Sequence, residues 1–407
     1  MQFTEVTIIA IVKVALLIGG LMTAAAYFVL LERWVAAWVQ MRRGPNRVGI
    51  PLTKFRLLGL GQPMADGLKF IFKEEYTPAH VDRRLFLLAP ITILGAALTA
   101  FAVIPFGSML PAIEGITEPI ELVVAPGVDV GMIYVFALSS IAVYGVILGG
   151  WASNSKYSFL GALRSSAQLI AYELPLGLGI LGVVLATGSL RLEAIMTHQA
   201  AHGWYAITQP WGLLVFSVAA FAEAARLPFD LPECEQALVG GYHTEYSGIK
   251  LLLFLVAEFL HMITASFLIV ILFFGGWHLP WGLTGHEAEV TGWGQAILRV
   301  VVLSVKIFLV IFFFMMVRWS WPRFRFDQLM ALAWKVMLPL GLVNLVAIAI
   351  FLELDHVSIG WWQQTFGGAA QGAMIVASWG VTIVAWVTVA VAAPKIADNR
   401  PQPDVLR

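Results

Sequence analysis

Three carboxylates lie inside long apolar runs: Glu173, Glu223 and Glu258. An acid near a bilayer centre costs about 2.5–3.5 kcal/mol on an insertion scale, and acids kept at that depth usually line ion or proton paths. Glu173 precedes Pro175, which cannot donate the helical bond to the carbonyl of Ala171, so the sequence predicts a bent turn that holds water. Glu258 sits roughly 12 Å into its run at about 1.5 Å per residue. Glu223 is shallower and stands three positions before Arg226, so an i, i+3 ion pair at a helix end is an equally open reading. A purely structural hydrogen-bonding role also stays open for Glu173 and Glu258.

A second acidic group occupies the connection that starts at Arg226. Asp230, Glu233, Glu235 and Glu245 crowd a short stretch, and close carboxylates raise one another's pKa and titrate as a set. Pro232 can open a short helix there, and Gly240 and Gly241 can close it. Leu231, Leu238, Val239 and Tyr242 favour a loop folded into the protein over one splayed in water.

Other patterns carry less. Gly177-Leu-Gly-Ile-Leu-Gly182 spells a dinucleotide fingerprint, but it lies within an apolar run with no preceding strand, and helix packing by small residues explains it better. His198 and His202 are one helical turn apart, a spacing that can grip a metal, yet no acid or thiol partner is evident and no metal is assigned. Cys234 stands among acids, which raise a thiol pKa, and is read as inert. Trp361 and Trp362 fit an interfacial aromatic belt.

These residues must be positioned by membrane helices. Of 407 residues, 12% are charged and 59% hydrophobic, with a mean hydropathy of +0.83, against about 25% charged in an ordinary soluble domain. One cysteine cannot hold an iron–sulfur cluster, which takes about four thiolates. Zero net charge argues against a nucleic-acid partner. The fold expected is an all-α polytopic membrane protein with spans near 6–31, 85–105, 130–151, 163–187, 209–225, 250–275, 297–317, 333–353 and 371–393, each about 20 residues as a bilayer requires. The first run is not read as a signal peptide, because it lacks a basic leading region and its apolar stretch continues past Phe28.

Apart from Lys13, Arg191, Arg299 and Lys306, every Lys and Arg falls in the connections 32–84, 152–164, 226–250, 318–335 and 394–407. Basic connections stay on the cytoplasmic side, so the amino terminus is expected outside and the carboxyl terminus inside. Within 32–84, Pro63 opens an amphipathic helix with Met64, Leu68, Ile71 and Phe72 on one face and Asp66, Lys69 and Lys73 on another. It either lies along the membrane surface or packs on the protein's own core.

Several long strings belong together: Glu32-Arg33, Gln40-Met-Arg-Arg-Gly-Pro-Asn46, Gln62-Pro-Met-Ala-Asp-Gly-Leu-Lys69, Gly150-Trp-Ala-Ser-Asn-Ser-Lys156, Ala167-Gln-Leu-Ile-Ala-Tyr-Glu173, Pro228-Phe-Asp-Leu-Pro-Glu-Cys-Glu235, His243-Thr-Glu-Tyr-Ser-Gly248 and Pro322-Arg-Phe-Arg-Phe-Asp-Gln-Leu329. With them the sequence resembles the quinone-site membrane subunit of respiratory complex I, the proton-translocating NADH:quinone oxidoreductase. The resemblance covers about residues 1–353; residues 354–407 would add one further span and a short tail.

The resemblance implies a quinone tunnel opening to lipid beside the surface helix, with quinone as substrate and no cofactor on this chain. Flavin mononucleotide and iron–sulfur clusters would sit on partner subunits of the hydrophilic arm, other membrane-arm subunits would adjoin, and the site would be an energy-transducing membrane, such as the bacterial cytoplasmic membrane. By position, Glu32, Arg33, Arg42 and Asp66 would border the tunnel. Arg226, Phe229, Asp230, Glu233, Glu235 and Glu245 would form the loop beneath it. Arg318, Arg323 and Arg325 match basic residues at the inner end of the seventh span, and Glu173, Glu223 and Glu258 match the acids of the proton path.

This chain departs from the family's pattern in four places. Ala237 stands where a third loop Glu is common, Trp34 follows Glu32-Arg33 where Lys is usual, Ala225 takes a place often held by Asn, and 50–59 is longer than usual. The related membrane subunit of an energy-converting nickel–iron hydrogenase is the nearest alternative. An autonomous ion transporter and a structural anchor come from other classes.

Overall fold

The computed structural model describes residues 2–49, 59–111, 119–230, 238–279, 284, 292–366 and 370–392. Among them every regular element is helical, apart from one isolated bridge between Leu110 and Ile120. Among the described residues seven helices are long and apolar enough to cross a membrane by length and composition.

The first helix, α1 (Gln2–Val39), outruns its expected span by two turns, because Glu32 and Arg33 are followed by more helix-compatible apolar residues. Both charges therefore ride on a continuous helix instead of a loop. The amphipathic α2 (Gln62–Phe72) starts with Pro63 in its first turn. Next come α3 (Arg83–Ala100), capped at its start by the Asp82 carboxylate, then α4 (Gly131–Ala152) and α5 (Lys156–Thr187). Helix α5 runs unbroken through Pro175.

After α5 the chain forms α6 (Leu192–His202), the single turn α7 (Tyr205–Thr208) and α8 (Pro210–Glu223). At 14 residues, or about 21 Å, α8 is shorter than the expected 209–225 span. Pro210 sets its start, and the chain leaves helical geometry at Ala225, whose φ of 49° is left-handed. Asn tolerates that conformation far better than Ala.

Helix α9 (Gly248–Phe273) is the hub, buried along most of its length, and it packs on α1, α3, α8 and α10 (Trp293–Ser320). The chain then passes through α11 (Phe326–Ala331) and a π-helical stretch, Leu332–Met337, into α12 (Leu338–Phe366). The last helix, α13 (Ala370–Ala392), packs on α12 and reaches α7, where the Trp379 indole donates to Ile207 O at 2.9 Å.

Small residues let the helices close up. A Cβ on Gly179 would lie 3.1 Å from Phe216 of α8, and one on Gly182 would meet Ile348 at 2.7 Å. Gly179 and Gly182 thus serve helix packing, whereas a Cβ on Gly177 would meet nothing within 4 Å.

The three basic residues inside spans also reach backbone carbonyls of connecting segments. Lys13 Nζ donates to Val123 O at 3.1 Å and Arg299 Nε to Thr284 O at 3.0 Å. Lys306 Nζ donates to Phe274 O, Gly276 O and His278 O at 2.7, 2.9 and 2.7 Å, tying the end of α9 to the following turn. Charged donors contribute about 1.5–3 kcal/mol per bond. Lys306→Met is expected to destabilise the protein by at least about 3 kcal/mol, read as a lower thermal midpoint of the purified assembly.

Candidate functional site

Two hollows meet at α9. The larger, about 1290 Å³, lies between α1, α2, α9 and the segment 42–48. Its wall on α1 is a single helical stripe: Met22, Ala25, Ala26, Val29, Glu32, Arg33 and Ala36. Opposite them stand Leu252, Leu255, Val256 and Phe259. One end of the hollow is therefore apolar, and the other is lined by ionic groups.

At the ionic end, Glu32 accepts from Arg226 Nη1 at 3.2 Å and is also paired with Arg318. The Arg226 guanidinium stacks over the Phe259 ring at 4.2 Å. Its Nε and Nη2 are buried with no hydrogen-bond partner among the described residues, so donors remain for a polar head group or water. Arg33 pairs with Asp66 at 2.7 Å, joining α1 to α2, and Gln62 donates to the other Asp66 oxygen at 2.9 Å. Arg42 lines the same space and is braced by Gln40.

Helix α2 turns Pro63, Asp66, Gly67 and Phe70 to this cavity. Met64, Leu68, Ile71 and Phe72 point outward and are 48–83% exposed, which excludes packing of that face on the chain's own core. Trp34, in the place of the usual Lys, donates to Pro45 O at 3.0 Å and lies against Gly44, where a Cβ would come within 2.4 Å. That contact holds the Arg42–Asn46 segment against α1.

The second hollow is small, about 50 Å³, with room for roughly three waters. Glu173, Glu223 and Glu258 all line it, with His261 beside them. Ser139 donates to Glu223 and Ser140 to Glu173, while Tyr242 Oη donates to Glu258 at 3.2 Å. Arg226 is engaged with Glu32, so the alternative i, i+3 pair with Glu223 does not form. Glu258 lines both hollows, which makes it the side chain that joins them.

Phe229 packs edge-on against Tyr172 at 5.3 Å and near Phe324 at 5.6 Å, in the core outside the large cavity. Arg323 pairs with Asp230 at 3.2 Å. Glu245 is half-buried after the turn Gly241–His243. Arg325 is largely exposed and pairs with Asp327 at 3.3 Å, away from both hollows. Glu233 and Glu235, with Cys234 and Ala237, lie outside the described residues, as do residues 50–58 and the side chains of Trp361 and Trp362.

Ser139, Ser140 and His261 were not among the residues expected here, and Tyr242 was expected only to fold its loop into the protein. Two adjacent serines in an apolar run, and a histidine one turn after Glu258, were the available signals.

Burial pushes the Asp230 carboxyl up to about 6. Arg318 and Arg323 pull the other way, and the Glu258 charge adds to the rise. A carboxyl raised on folding favours the native state while protonated. Its contribution is full below the ordinary value of 3.8 and is lost as pH climbs through about 6. Asp230→Asn is expected to flatten this dependence, so that the fall in thermal midpoint between pH 5 and pH 7 is smaller than in the parent.

The profile of the family described as NADH dehydrogenase matches residues 12–349. NADH-quinone oxidoreductase subunit 8 of Thermus thermophilus is 47% identical over 345 residues, covering 84% of this chain and 87% of that protein. NADH-quinone oxidoreductase subunit 8 of Rhodothermus marinus is 44% identical over 346 residues, with 83% of this chain and 96% of that protein covered. With an ionic cavity joined through one glutamate to a chamber lined by three acids, and with identities of this size over most of both chains, this protein belongs to the NADH dehydrogenase family.

Proposed function

We propose that the chain is the membrane subunit of a proton-translocating NADH:quinone oxidoreductase that holds the quinone and couples its reduction to proton movement. The single observation behind this reading is the shared position of Glu258, which borders both the 1290 Å³ cavity and the acid chamber. The names of the relatives favour quinone over the hydrogenase alternative.

A quinone is an apolar tail with a polar head. The α1 stripe from Met22 to Val29 suits the tail, while Arg226, Glu32 and Arg318 suit the head or its water. The outward apolar face of α2 suits the lipid surface, which would set the entrance beside it. Electrons would come from flavin mononucleotide and iron–sulfur clusters on partner subunits.

Reduction of the quinone changes the field at the ionic end. A shifted protonation of Asp230 would pass to Glu258 and then to Glu223 and Glu173, whose chamber waters carry the proton. Glu173 is exposed on the isolated chain, and an adjoining membrane subunit would cover it. In this reading nine spans cross an energy-transducing membrane with the amino terminus outside, α8 and α13 completing the count.

Gly67 borders the cavity, and a Cβ there would meet nothing within 4 Å, so the fold can accept a side chain at this point. Gly67→Trp is expected to cut the rate with long-tailed quinone by at least about tenfold while NADH oxidation by a soluble artificial acceptor stays unchanged. An unaltered rate with long-tailed quinone would contradict a tunnel mouth beside α2.

A further inference from the structure

His198 and His202 occupy the last turns of α6, at the opposite end of α8 from Asp230. Their rings stack at 4.2 Å between centroids with 15° between planes. Hydrogen bonds fix which nitrogen of each ring carries the proton. Thr187 Oγ1 lies 2.9 Å from the carbonyl of Val183, which can only accept, so the threonine hydroxyl donates there. Thr187 then accepts from Tyr205 Oη at 2.9 Å, and Tyr205 Oη in turn accepts from His198 Nδ1 at 2.7 Å. The His202 Nδ1 lies 3.1 Å from the carbonyl of His198, again an acceptor only. Both imidazoles therefore carry their proton on Nδ1 and leave the Nε2 lone pair free.

We infer that His198 and His202 form a two-histidine site for a late first-row divalent cation such as Cu²⁺, Zn²⁺ or Ni²⁺, with Tyr205 as its positioning residue. Metal-bound histidines almost always donate their second N–H to a carbonyl or another fixed acceptor, and both rings already do so. The i, i+4 spacing on a helix can bring two Nε2 atoms to about 2.0–2.1 Å from one metal, and here that requires the near-parallel stacked rings to turn until their planes meet at the ion. The carboxyl end of α6 adds the negative end of its dipole. Among the described residues no group of three or more His, Cys, Asp or Glu is placed to hold a metal ion, so water would complete the coordination. The spacing of the two histidines is visible in the sequence; the hydroxyl relay that sets the tautomer of His198 is not.

The test is Cu²⁺–iminodiacetate titration of the oxidised, detergent-solubilised native assembly, read by electron paramagnetic resonance. The parent should take up one copper per chain with nitrogen couplings from two imidazoles, displaceable by Zn²⁺. His202→Ala, at an exposed position, should weaken uptake by at least about tenfold with quinone reduction in metal-free buffer unchanged. Tyr205→Phe should weaken it by about 10–100-fold, the usual effect of losing such a supporting bond. Equal uptake by the parent and His202→Ala would overturn the site. Equal affinity in the parent and Tyr205→Phe would overturn the role of the relay.

Discussion

Glu32→Gln is expected to lower quinone reduction by at least about tenfold and to reduce the thermal midpoint of the assembly. Glu32 stands between two guanidinium groups, Arg226 and Arg318, and both it and Arg226 are buried. Gln keeps the shape and still accepts a hydrogen bond, so the loss is of charge alone. Two cations then face each other with their shared counter-ion gone, beside a buried Arg226, a change that costs about 3–5 kcal/mol for a buried pair. The mutual repulsion would also displace the Arg226 donors left for the quinone head. Removing the excess charge should recover part of the loss, so Glu32→Gln/Arg318→Met is expected to be more stable than Glu32→Gln alone. The comparison is a double-mutant cycle on thermal midpoints, and an additive result would mean that the three groups do not act as a unit.

Glu258→Gln should have an equally large effect of a different kind. The Gln carbonyl can still accept from Tyr242 Oη, so the fold and the walls of both hollows are retained. What disappears is the one titrating carboxyl, among the described residues, that the two hollows share. Quinone reduction in the absence of a membrane potential should persist, while proton translocation linked to it falls by more than half. A second sign follows from the Glu258 charge, which helps to raise Asp230. With Gln in its place, the transition of Asp230 near pH 6 should move lower, which a pH series of thermal midpoints would register.

Much of this site was legible from residue type and spacing. Acids in apolar runs identified Glu173, Glu223 and Glu258, and all three share one chamber. The i, i+4, i+7 pattern after Pro63 identified α2, and its apolar face is exposed as a surface helix requires. Pairings between elements were not legible. Nothing local distinguishes an Arg226 bound to Glu223, three residues away, from one bound to Glu32 on α1, because the choice is made when α8, α9 and α1 pack. The extension of α1 past Leu31 was hidden for a related reason. Two charges look like the end of a span when the hollow that receives them is built by other helices. Helix α8 is short because Pro210 and the left-handed Ala225 bound it, and Ala carries no sequence signal for that conformation. Lys306 interrupts an apolar run without weakening it, since three carbonyls brought from the α9 terminus receive its charge.

The most direct test of the coupling claim is the number of protons moved per electron pair in proteoliposomes of the native assembly carrying Glu258→Gln, set against the parent at saturating quinone. The account predicts continued electron transfer with a proton count less than half the parent's. An unchanged proton count with Glu258→Gln would contradict it, because the two hollows would then exchange no proton through the residue that joins them.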